Sequence, residues 1–82
     1  MQKYTFKQKL DYNKKRGGAF GNGYVAGAKL YTDYPKFDKD LQNKVKKLIS
    51  SFSQSAKLGS ESAKGFLSGV RDAANERKNA KR

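Results

Sequence analysis

Gly23-Tyr24-Val25-Ala26-Gly27-Ala28-Lys29 and Gly65-Phe66-Leu67-Ser68-Gly69-Val70-Arg71 lie forty-two residues apart and carry nearly one pattern. In order it runs glycine, aromatic, branched aliphatic, small, glycine, small or branched aliphatic, cation. On a helix, residues four apart share a face, so each copy sets two glycines along one edge and an aromatic on the adjoining edge. Glycine costs about 1 kcal/mol relative to alanine inside a helix, so four at matched spacing call for a compensating contact. The expected contact is a close crossing of two helix backbones with the aromatics wedged beside it.

Upstream of the first copy, Thr5-Phe6-Lys7-Gln8 has the form of a capping box. A helix from there carries Phe6, Leu10 and Asn13 on one face and ends in Lys14-Lys15-Arg16, where cations suit the helix dipole. Gly17 supplies the stop. The following Phe20-Gly21-Asn22-Gly23-Tyr24 has the composition of a hairpin tip, but Phe20, Tyr24, Ala28 and Tyr31 recur at helical spacing. The spacing predicts a helix with Asn22 as its N-cap, ending before Tyr34-Pro35. The glycines ahead of it lack the lysine and hydroxyl residue of a phosphate-binding P-loop.

Between the two copies, Phe37, Leu41, Val45, Leu48, Ile49, Phe52 and Ala56 keep the three-four rhythm of an amphipathic helix. Asp38 caps it, Gly59 ends it, and Lys39, Lys46 and Lys57 fall opposite its apolar stripe. Ser60 caps a last helix with Ala63, Phe66, Val70, Ala73 and Ala74 as its buried stripe. On this helix Lys64, Arg71, Lys78 and Arg82 recur at intervals of seven and four, forming one ridge. Asp72 and Glu76 lie away from that ridge. The short Leu58-Gly59-Ser60 link resembles a helix-turn-helix connection, but Gly65 and Ser68 stand where a recognition helix needs apolar residues. The predicted architecture is all-α: one compact domain over residues 1–77 with helices at about 5–16, 22–33, 38–58 and 60–77. A basic tail over residues 78–82 is expected to dangle. Glycine-edged helices suit pairing between two copies as well, so a homo-oligomer is compatible with the pattern.

Composition narrows function by exclusion. Cysteine and histidine are both absent, which removes disulfides, thiolate chemistry and the usual zinc ligands, so no cofactor is expected. Asp38, Asp40 and Glu61 are accounted for as helix starts, and no carboxylate cluster remains for metal-assisted hydrolysis. The expectation is a protein without enzymatic activity. No apolar run reaches the length of a membrane span and residues 1–7 lack the apolar centre of a secretory signal, so a cytoplasmic location is expected.

Nineteen cations against seven anions give a net charge of +12. Solubility of a small domain calls for a magnitude of only about 2 to 8. The excess repels itself unless an anionic partner relieves it, and nucleic acid is the commonest such polyanion. Lysine outnumbers arginine fifteen to four, which favours phosphate contact over base reading. The expected contact residues are Lys64, Arg71, Lys78 and Arg82, joined by Lys14, Lys15 and Arg16. The tyrosines that fit the buried faces least, Tyr12 and Tyr34, are candidates for stacking on bases. The same charges suit an acidic or nucleic-acid-binding host protein, as for an inhibitor or adaptor carried by a phage or mobile element. The basic amphipathic stretch from Phe37 to Leu58 also has the character of a membrane-surface helix.

Overall fold

The computed structural model describes residues 4–80 and shows four helices. They are α1 (Phe6–Arg16), α2 (Gly18–Asp33), α3 (Lys39–Lys57) and α4 (Glu61–Ala80), with a single 3-10 turn at Tyr34–Lys36. The fold is all-α, as the periodicities require. Among the described residues there is no strand.

The centre of the molecule is the crossing of α2 with α4. A Cβ placed on Gly23 would strike the Ser62 carbonyl, and one on Gly27 the Phe66 carbonyl. From the other side, a Cβ on Gly65 would strike the Phe20 carbonyl, and one on Gly69 the Tyr24 carbonyl. All four would lie under 3.0 Å from backbone that has no room to give. The two helices therefore touch backbone to backbone, and only glycine admits that approach. They run in the same direction, since Phe20 faces Gly65 near one end and Tyr31 meets Arg77 near the other.

These contacts obey a symmetry that the seven-residue echo only hints at. Shifting both partners by forty-two positions converts Gly23 against Ser62 into Gly65 against Phe20, and Gly27 against Phe66 into Gly69 against Tyr24. The crossing is self-complementary in the way an isologous dimer interface is. The relation extends to the turns: Gly17 and Gly59, also forty-two apart, both sit at positive φ, 65° and 101°. The chain is thus two helix pairs, α1 with α2 and α3 with α4, joined through the Tyr34–Lys36 turn.

On the α1 flank, Gly21 gives the same kind of relief: its missing Cβ leaves room for the Asn13 carbonyl. On the α3 flank, Phe52 stacks on Phe66 with centroids 4.2 Å apart. The buried apolar residues are Tyr24, Ala28, Val45, Ala63, Phe66 and Ala73, half of them alanine. Among the described residues no large side chain is completely enclosed. Overall dimensions of 38 × 36 × 20 Å describe a plate about two helix diameters thick. Its cohesion rests on close backbone packing more than on bulky side chains.

The caps follow expectation where a side chain makes them. Thr5 and Gln8 close the capping box, Asp38 accepts from the Leu41 N–H at 2.8 Å, and Ser60 accepts from the Ala63 N–H at 3.2 Å. Four expectations need correction. First, α2 begins at Gly18, not at Asn22, which lies exposed in the helix interior. Contact between Gly21 and the end of α1 holds this first turn helical despite its poor propensity. Second, α4 continues to Ala80, so Lys78 is helical and does not belong to a dangling tail; residues 81–82 lie outside the described residues. Extending a formed helix is easy through good formers, and Arg77 anchors this stretch by donating to the Tyr31 carbonyl and stacking on the Tyr31 ring.

Third, α3 covers Phe66 but leaves Leu41 and Leu48 exposed, so its apolar stripe is only half used. A plate with α1 and α3 on opposite flanks offers α3 one neighbour, α4, where a rounder bundle offers two. Fourth, Tyr34 is half-buried and stacks on Tyr31, with centroids 4.9 Å apart. The 3-10 turn after α2 folds it back onto that helix.

Candidate nucleic-acid interface

The glycine edge of α4 faces α2, and Ala63, Phe66 and Ala73 are buried beside it. What remains outward is the ridge predicted from the spacing. Lys64, Arg71 and Lys78 are all exposed, spread along about 21 Å of helix at the usual 1.5 Å rise. Lys64 lies 3.5 Å from Glu61, an exposed pair one turn apart that is worth little in water. Arg71 and Lys78 have no ion-pair partner among the described residues. Arg82, the fourth member, lies outside the described residues.

The second predicted group ends α1. Lys14 and Lys15 are exposed, and the Arg16 guanidinium sits 5.2 Å from the centroid of the Phe20 ring. Arg16, Gly17, Gly18 and Glu61 line one shallow depression, so this basic end of α1 lies at the N-terminal end of α4. Farther along, Lys9 Nζ approaches Asp72 Oδ2 at 3.8 Å, directly after Arg71 in sequence. The two helices therefore run antiparallel, which places Lys64 and the Lys14–Arg16 triplet at one end. The structure brings the two predicted groups onto neighbouring elements. Lys78 lies farthest from the triplet.

Sequence reasoning missed Asp72. It is half-buried, and Tyr24 donates its hydroxyl to Asp72 Oδ2 at 2.5 Å. Burial pushes the Tyr24 hydroxyl well above its usual range, and the hydrogen bond and charge of Asp72 push it the same way. Asp72 thus ties α1, α2 and α4 together through Lys9 and Tyr24. In the sequence it stands out only by lying away from the cationic ridge. Also missed was a groove of about 520 Å³ beside α1, lined by Tyr4, Gln8, Lys9, Tyr12 and Asn13. The sequence signal for it was the four-residue recurrence of Tyr4, Gln8 and Tyr12.

Among the described residues no group of acidic side chains could hold a metal ion, and no helix is long and apolar enough to cross a membrane. Comparisons with known protein families, curated proteins and solved structures return no match.

Proposed function

We propose that this chain is a small non-catalytic protein that binds nucleic acid by its phosphates, with little sequence preference. The observation that carries the reading is the disposition of charge. Three ion pairs are present among the described residues of a chain with a net charge of +12, and Lys64, Arg71 and Lys78 on α4 and Lys14, Lys15 and Arg16 on α1 stay exposed. Lysines and arginines in solvent, on helices that cannot approach one another further, suit a phosphate backbone better than a small ligand. Lys64, Arg71, Lys78 and Arg82, with Lys14, Lys15 and Arg16, would make the contacts. A cytoplasmic setting and a bacterial or phage accessory role accord with this reading.

The test is a binding titration across salt. Several phosphate contacts predict a steep fall of affinity with rising salt, roughly 0.7 to 0.9 logarithmic units of slope per contact. Reversing charge with Arg71→Glu and Lys78→Glu together should reduce affinity for all sequences alike and flatten the slope by about two contacts. Affinity that is indifferent to salt contradicts the reading.

A second reading has its own observation. Leu41 and Leu48 are exposed along α3, and Leu48 lines a groove of about 330 Å³ with Ala26, Phe52 and Phe66. An apolar strip edged by lysines suits a protein partner, as in an inhibitor or adaptor that sits on a host nucleic-acid enzyme. Recovery of one stoichiometric protein after nuclease treatment would favour it. The same strip suits an anionic membrane surface, and unchanged mobility with anionic vesicles would remove that option.

A further inference from the structure

The groove beside α1 has the features of a stacking site. Tyr4 and Tyr12 are 68% and 64% exposed, although tyrosines are typically of intermediate burial in folded proteins. The same helix buries its smaller apolar positions: Phe6 and Leu10 are half-covered against α2, near Ala28 and Thr32. Tyr4, just before the N-cap Thr5, and Tyr12 on α1 thus both face solvent and line one cleft with Gln8 and Lys9. Asn13 also lines it and is only 7% exposed. Its amide donates to the Lys9 carbonyl at 2.9 Å, while its Oδ1 has no hydrogen-bond partner. Lys9, Lys15 and Arg16 lie within one turn of Tyr12, and Asp11 is the only acid of α1.

We propose that this groove takes unpaired nucleotides, with bases stacked on Tyr12 and Tyr4 and phosphates held by Lys9, Lys15 and Arg16. The inference rests on the phosphate-binding reading and sharpens it from nucleic acid in general to single strands. Duplex bases are already stacked and present no free face to a tyrosine ring, whereas a single strand offers one at every position. An all-cationic surface without aromatics would bind both forms by charge alone.

The experiment compares the full chain with Tyr12→Ala and Tyr12→Phe, using an oligothymidylate and a mixed-sequence duplex at one salt concentration. Circular dichroism checks the fold of each variant. The expected result is a loss of roughly tenfold for the single strand in Tyr12→Ala, in the range for one stacked base. Binding of the duplex should be unchanged, and Tyr12→Phe, which keeps the ring, should bind as the parent does. Salt-dependent binding that Tyr12→Ala leaves intact, or weakens equally for both forms, overturns the stacking site alone. Absence of binding to either form at low salt overturns this inference and the phosphate reading together.

Discussion

At the scale of single residues, four glycines decide how near two helices come. Gly27 and Gly69 each face a carbonyl of the opposite helix, with no space for even one added carbon. Replacing either by alanine gains about 1 kcal/mol of helix propensity but forces the backbones apart. Overpacking of this kind typically costs about 1–3 kcal/mol, and here the obstacle is backbone, which cannot rotate away as a side chain can. Gly27→Ala and Gly69→Ala should therefore both lower the midpoint of denaturant unfolding. Asn22→Ala, at an exposed position inside α2, should raise it slightly. The glycine spacing was legible in the sequence because helical geometry fixes which residues share an edge. The start of α2 was not: Gly18 to Asn22 have poor intrinsic propensity and are held helical by packing that no local pattern announces.

At the scale of elements, one polar contact unites three helices. Tyr24 of α2 donates to Asp72 of α4, which in turn receives Lys9 of α1. Hydrogen bonds to a charged group contribute about 1.5–3 kcal/mol, so Tyr24→Phe should cost roughly that much at neutral pH. The contact also has a pH signature. The Tyr24 hydroxyl is raised above its ordinary value of 10.0 in the folded protein, by burial first and by Asp72 second. Its stabilising effect is complete below about pH 10 and is lost as pH rises toward the folded value, because the unfolded tyrosine ionises first. The informative quantity is the difference between parent and Tyr24→Phe. That difference should be constant from pH 6 to about 9 and shrink above about 10. A gap that stays constant to higher pH would show that the hydroxyl does not serve this role. The helices themselves were legible from period and caps, and the ridge of Lys64, Arg71 and Lys78 was legible from its spacing. Asp72 was not, because its partners are forty-eight and sixty-three positions away and nothing local marks it. The exposure of Tyr12 was legible because it fits the buried face least, but the groove it shares with Tyr4 was not, since Tyr4 stands before the helix.

At the scale of the whole molecule, a thin core carries a large charge. Among the described residues six buried apolar side chains, three of them alanine, hold a plate whose net charge is +12. Self-repulsion at that charge opposes compaction, and binding of a polyanion to the folded state relieves it. The outward cations and the backbone-to-backbone crossing are thus two sides of one arrangement: helices that bury glycine inward have their long charged side chains free outward. The most direct test is the melting temperature with and without a saturating single-stranded oligonucleotide, at the same low salt. With ligand at about one hundred times its dissociation constant, stabilisation of about 2.7 kcal/mol is expected. For a domain of this size that amounts to a rise of about 10 °C or more, shrinking as salt is added. A melting temperature unmoved by the oligonucleotide at low salt would contradict it.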